Sequence, residues 1–416
     1  MTLRMNDFIY IFFGTLLLFL FSSTQWLETY FINVKPSIYI IFFSFILLNV
    51  VNLFNYLIFL LKENFKNLDF LIIISIFLFF IIQENVNFYA ISFLSLYFFV
   101  NSLYKYAIES KTSIIKLVIN CILLSGIISV FGIYIGLMES LYFETNIFHS
   151  YQPPGYPNPT SDIIRNITGF NLSSHISGFQ TSVNYSAYII ISCLGVLNLS
   201  RYKARTILTL KILMLVALFF TQAKVGFLYI SILLTLKIFA NFRHNLKLIV
   251  ISSLCFGYLF LTHFTIVESG TEILYSKYYR EFAFNFFNFD FYLSLFSWLK
   301  LNSFDYLISM NFFVPEFNGL INFDEPSEPH SLFFSSIFIG GFAFAIILSI
   351  KLFSILFSYL LNSNNTEIYF SAALCSFIIE SLIWDSYDAP IFWLIILMGP
   401  YYQLLFTERL LLEQDT

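Results

Sequence analysis

Residues 205–241 read "RTILTLKILMLVALFFTQAKVGFLYISILLTLKIFAN", two apolar runs separated only by the short stretch Gln222-Ala223-Lys224. About 20 apolar residues are enough for a helix to cross the hydrocarbon core of a bilayer. Each run approaches that length, so the connection between them must be a tight turn. The stretch therefore predicts two consecutive membrane helices, and the same pattern recurs along most of the chain.

The composition of the whole chain indicates that lipid is its main solvent. Of the 416 residues, 58% are hydrophobic and only 11% are charged, whereas soluble domains carry about 25% charged residues. The net charge of -4 and the lack of a basic block give no indication of a nucleic-acid partner. All four cysteines fall in apolar runs without a CxxC or histidine-rich neighbourhood, which argues against a disulfide framework and against a zinc site.

The hydrophobic pattern predicts an all-α integral membrane protein, a single polytopic domain over residues 1–416 with about twelve transmembrane helices. The first apolar run is interpreted as a retained span rather than a signal peptide, since no small-residue cleavage site follows it. The predicted spans are approximately 7–23, 37–61, 68–83, 86–104, 113–138, 181–199, 205–222, 224–241, 246–266, 331–360, 367–384 and 389–407.

The distribution of lysine and arginine predicts the orientation. With both termini in the cytoplasm, fifteen of these residues fall on the cytoplasmic side and six on the other side, as the positive-inside rule expects. Two long connections, 139–180 and 267–330, then lie on the far side as large loops. The second is rich in aromatic residues, and we expect such loops to contain short helices that lie at the membrane interface.

Positive charges are scarce on the far side, so each is a candidate binding residue. Arg165 lies in "DIIRNITGF", Lys224 lies between two apolar runs, and Arg280 lies in "YSKYYREF". The structural alternatives are a solvated loop arginine, a snorkelling lysine, and an arginine stacked on a tyrosine ring or bound to lipid phosphate. Together the three favour an anionic substrate such as a lipid-linked diphosphate, because arginine and lysine are the usual phosphate ligands.

His330 follows Pro329 at the point where the second large loop meets the next apolar run. Histidine can transfer a proton near neutral pH, although a polar side chain is also simply well placed at a membrane edge. Glu380 lies inside the eleventh run, where an acid is either functional or a partner to a neighbouring helix. Most acids in the loops, including Glu139, are expected to be solvated.

Four short motifs resemble the bacterial O-antigen polymerase and O-antigen ligase superfamily. "RNITGF" resembles its Arg-x-x-x-Gly segment, and "EPHSLFFSSIFIGGF" resembles its Pro-His motif before a span. "SVNYSAY" resembles a Pro-Asn-x-x-Ala helix start that keeps Asn184, with Val183 in place of proline. "FFTQAKVGFLYI" resembles a Thr-x-Ser-Arg segment, with Ala223 in place of serine and Lys224 in place of arginine.

The resemblance implies a glycosyltransferase of the bacterial inner membrane with its active site facing the periplasm. The donor would be an oligosaccharide on undecaprenyl diphosphate, the catalytic base His330, and the substrate-binding residues Arg165, Lys224, Arg280 and Asn184. No metal and no cofactor are implied; membrane lipid and a chain-length regulator protein are the implied partners. A polymerase is favoured over a ligase that uses lipid A core as acceptor. A flippase of the same lipid-linked glycan and a non-catalytic scaffold are the alternatives from other classes.

Overall fold

The computed structural model describes the chain over residues 68–82, 114–142, 176–180, 182–200, 202–238, 332–362, 367–381 and 389–402, together with single positions within 11–18, 96–104 and 250–257 and at 58 and 148. This part of the chain is mostly helical and contains no β-strand. Its helices are α1 (Leu68–Ile82), α2 (Ile114–Tyr142), α3 (Val183–Val196), α4 (Ala204–Thr221), α5 (Lys224–Ile238), α6 (Leu332–Asn362), α7 (Ile368–Glu380) and α8 (Pro390–Met398). Short 3-10 turns, Leu197–Leu199 and Gly399–Tyr401, follow α3 and α8.

Each of these eight helices overlaps a different one of the apolar runs from which spans were predicted, and α2, α4 and α6 extend beyond the predicted bounds by one to four residues. By length and composition, two of the described helical segments could cross a membrane, Lys116–Ser140 and Ala204–Thr221. Shorter apolar helices cover Val183–Leu199, Phe344–Tyr359 and Ile368–Glu380. The helical class and two candidate membrane helices are therefore established, and the full set of twelve spans stays a prediction. The loop 267–330 lies outside the described residues, as do most of the residues of the loop 139–180.

Helices α3 and α7 form the centre of the helix bundle. From Tyr185 to Val196 every residue of α3 is buried, and α7 is buried along almost its whole length. A helix that is apolar on all faces needs neighbours on all faces, and α3 packs against α2, α4, α5, α7 and α8. The ring of Tyr188 on α3 meets Phe377 of α7 edge-to-face at 4.7 Å, and Phe377 stacks on Phe392 of α8 at 6.0 Å.

Glycines let α2 approach both α3 and the segment that precedes it. A Cβ atom at Gly126 would lie 2.6 Å from Cys193 Sγ, and one at Gly136 would lie 2.6 Å from the side chain of Ile176. Both distances are far below van der Waals contact, so only glycine permits this spacing. The segment 176–180 therefore packs directly on α2. Within this segment Gly178 has a positive φ of 65°.

Candidate functional site

Two of the five residues that the sequence selected for the site lie in the described part of the chain. Lys224 is the first residue of α5 and is exposed, and Asn184 is the second residue of α3 and is half-buried. His330, Arg165 and Arg280 lie outside the described residues, so their roles stay predictions.

The turn before Lys224 is as tight as the sequence predicted. Helix α4 ends at Thr221, and Gln222 adopts a left-handed conformation with φ of 56°. The Thr221 hydroxyl donates to Leu218 O at 2.7 Å and accepts the amide of Ala223 at 3.2 Å, which closes the turn. The N-terminus of α5 carries the positive end of the helix dipole, and Lys224 adds an exposed ammonium group, so this end of the hairpin is electropositive.

The start of α3, which carries Asn184, is anchored by two serines. The amide of Ser186 donates to Ser182 O at 3.1 Å, and its hydroxyl donates to Ser177 O at 2.5 Å. The first turn of α3 is therefore tied to the segment 176–180. Among the described residues, no hydrogen bond joins Asn184 to Lys224, and the helices that carry them, α3 and α5, pack against each other.

The acid Glu139 is buried, contrary to the expectation that it is solvated. Helix α2 continues to Tyr142, four residues beyond the predicted end of the fifth span, and includes Glu139 at 4% exposure. Its carboxylate accepts the amide of Phe148 at 3.0 Å, and Phe148 O in turn accepts the amides of Ser177 and Gly178, both at 3.0 Å. A buried carboxylate needs such partners, and Glu139 thereby helps to connect both described parts of the first loop to α2.

Contacts between the helices show which helix termini lie at the same end of the bundle. Lys237, near the end of α5, donates to the hydroxyl of Tyr369, near the start of α7, at 3.1 Å. Lys211, in the second turn of α4, donates to Asn198, which follows α3, at 2.8 Å and lies over the same Tyr369 ring. The ends of α3 and α5 therefore lie beside the starts of α4 and α7. We call this the Tyr369 end of the bundle.

The opposite end, which we call the Ser381 end, holds the starts of α3 and α5 and the end of α7. It therefore carries Asn184 and Lys224. Glu380, the last residue of α7, is only 2% exposed there, and a carboxyl group buried to this degree costs free energy unless it is hydrogen-bonded or paired. The amide of Leu332, the first residue of α6, donates to Ser381 O at 2.8 Å.

The start of α6 therefore joins the same end of the bundle, and in sequence it follows His330 by two residues. A groove lies beside this contact, lined by leucines and isoleucine with three serines: Leu332, Ser336, Leu348, Ser349, Ile378 and Ser381. The Ser381 end thus combines the electropositive start of α5, a buried acid and the point where the second large loop rejoins the bundle.

Sequence reasoning missed a partly buried ion pair between α1 and α6. Lys351 donates to the carboxylate of Asp69, and the hydroxyl of Tyr97 contacts both groups. The two charged side chains are 12% and 18% exposed, and the Lys351 ammonium also lies 4.8 Å from the centroid of the Tyr97 ring. The charge count had placed Lys351 among the cytoplasmic cations without a partner. A lone acid in one apolar run and a lone base in another could have suggested the pair.

The described residues contain no group of three or more histidine, cysteine, aspartate or glutamate side chains that could hold a metal ion. The positively charged helix start at the Ser381 end suits the binding of an anion. No protein-family model, no curated protein and no solved structure matches the chain.

Proposed function

We propose that the protein is an O-antigen polymerase of the bacterial inner membrane. It would transfer a glycan from undecaprenyl diphosphate to the end of another lipid-linked repeat unit at the periplasmic face. The observation that carries this proposal is the shared position of Asn184, Lys224 and the start of α6 at the Ser381 end. These segments come from separate motifs of the sequence resemblance, and a common active site requires them to lie at one end of the bundle.

The proposed reaction needs a base for the acceptor and cations for the leaving group. A hydroxyl oxygen of the acceptor glycan attacks the anomeric carbon of the donor, and His330 takes the hydroxyl proton. The bond between the anomeric carbon and the diphosphate oxygen breaks, and undecaprenyl diphosphate leaves with the electron pair. Arg165, Arg280 and Lys224 stabilise the charge that develops on this diphosphate. No metal is part of the proposed step.

A flippase for the same lipid-linked glycan is the second candidate function. The observation that favours it is the Asp69–Lys351 pair, because charged groups held between apolar helices are typical of transport pathways. A ligase would use the same chemistry as the polymerase but would transfer the glycan to lipid A core. The three activities differ in their products, so one reconstituted system distinguishes them.

The test is an in vitro assay of the full-length protein with a lipid-diphosphate-linked repeat unit. We expect wild-type protein to produce a ladder of longer lipid-linked glycans. His330→Gln keeps a hydrogen-bonding group but cannot take a proton at neutral pH, so we expect it to lose at least ~100-fold in rate, the typical contribution of a general base. His244→Gln, in a predicted cytoplasmic loop, is the matched control and should retain the wild-type rate.

Near-normal turnover by His330→Gln would exclude the role of His330 as the base. Transfer that occurs only when lipid A core is supplied would identify a ligase instead. Movement of a labelled lipid-linked glycan between the leaflets of a vesicle, without any new glycosidic bond, would identify a flippase.

A further inference from the structure

Two lysines share one tyrosine ring at the Tyr369 end of the bundle. The ammonium of Lys211 lies 4.0 Å from the centroid of the Tyr369 ring, and that of Lys237 lies 4.9 Å from it. Lys237 also donates to the Tyr369 hydroxyl at 3.1 Å, and Lys211 donates to Asn198 Oδ1 at 2.8 Å. Helices α4, α5 and α7 thus converge to hold two positive charges close together.

Neither lysine forms an ion pair with a described side chain. Among the described residues, the one ion pair is that of Asp69 with Lys351, so neither Lys211 nor Lys237 has a carboxylate within ion-pair distance. Two ammonium groups repel each other, and the repulsion grows as water is excluded around them. An anion that binds between them would relieve it.

The surface around the two lysines has the character of a membrane boundary. Lys203 and Arg205 are exposed at the start of α4 and add further positive charge. On the other side of the lysines, α4 and α5 expose large apolar side chains, among them Ile212 at 54% and Leu234 at 53%. Exposed apolar side chains next to basic side chains suit a lipid, whose acyl chains cover the apolar side chains and whose headgroup contacts the basic ones.

We propose that the Tyr369 end binds the headgroup phosphate of an anionic phospholipid. The phosphate oxygens accept from the Lys211 and Lys237 ammonium groups, and the acyl chains lie along the exposed apolar faces of α4 and α5. This lipid site lies at the opposite end of the bundle from the proposed glycosyl transfer, and it does not depend on that activity.

The experiment measures lipid binding by native mass spectrometry of the full-length protein in detergent, titrated with phosphatidylglycerol or with neutral phosphatidylcholine. We expect phosphatidylglycerol to bind the wild-type protein about tenfold more tightly. The Lys211→Gln/Lys237→Gln double variant should lose this preference, because each charge-assisted hydrogen bond to phosphate disappears. The Lys211→Arg/Lys237→Arg variant keeps both charges and should retain it.

Lys116→Gln is the matched control, since Lys116 is an exposed lysine of α2 with no part in the cluster. Its binding should equal that of the wild-type protein. Equal loss in this control and in the double variant would overturn the proposal, as would an unchanged preference for phosphatidylglycerol in the double variant. Displacement of phosphatidylglycerol by millimolar inorganic phosphate would show that a free anion, rather than a lipid, is the ligand and would overturn the lipid assignment.

Discussion

The Asp69–Lys351 contact is a test of how this bundle tolerates buried charge. We expect Asp69→Asn to lower the free energy of unfolding by roughly 3–5 kcal/mol, because it leaves the Lys351 ammonium largely buried without its counter-charge. Tyr97→Phe keeps the ion pair and the ring and removes only a hydroxyl, so a smaller loss of about 1 kcal/mol is expected. Reversible unfolding of the detergent-solubilised protein measures both changes.

The double variant Asp69→Asn/Lys351→Met distinguishes the stabilisation by the ion pair from the destabilisation caused by an unpaired Lys351 ammonium. Because it removes both charges, it should recover most of the stability that Asp69→Asn loses. Lys116→Met changes an exposed lysine and should stay within about 0.5 kcal/mol of wild type. Stability of Asp69→Asn equal to that of wild type would show that the pair contributes nothing.

At the scale of elements, the packing of α2 on α3 depends on the missing side chain of Gly126. A methyl group there would overlap both Cβ and Sγ of Cys193, and although Sγ can rotate about χ1, the position of Cβ is fixed by the backbone. We expect Gly126→Ala to cost about 1–3 kcal/mol of stability, the usual range for overpacking, despite the better helix propensity of alanine. Thermal unfolding in detergent measures the change.

Gly257 provides the matched control, because a Cβ atom at this position would meet nothing within 4 Å. Gly257→Ala should therefore be neutral or stabilise the protein by up to about 1 kcal/mol. If both substitutions change the stability equally, the prediction that Gly126 is needed for the close approach of α2 and α3 is wrong.

At the scale of the whole molecule, the predicted orientation places both large loops in the periplasm. Pro154→Cys and Ser327→Cys should each react with a membrane-impermeant maleimide in intact spheroplasts, and Lys203→Cys should react only after the membrane is permeabilised. Background reaction is expected to be low, because Cys121, Cys193 and Cys375 are buried; Cys255 is replaced by serine for the experiment. Labelling of either loop position from the cytoplasm alone would contradict the orientation.

The sequence by itself determined the helical class, the approximate positions of the eight described helices and the tight turn at Gln222. It could do so because a long apolar run in lipid must satisfy its own backbone hydrogen bonds, and a helix is the local way to do this. It also placed Lys224 at a helix start and Asn184 in the first turn of α3, since short polar breaks define the ends of such runs. The roles of His330, Arg165 and Arg280 remain predictions.

Only the tertiary structure decided which faces and ends of these helices meet. Asp69 and Lys351 are 282 positions apart, and runs as uniformly apolar as α3 and α7 show no polar face that would indicate their neighbours. Glu139 is buried where its carboxylate accepts the amide of Phe148, which lies nine residues later in the chain. Lys211 and Lys237 come close together because both contact Tyr369, which belongs to a third helix. Hydrophobic burial is non-directional. Close contacts at glycines, hydrogen bonds and ion pairs therefore specify which helices pack together.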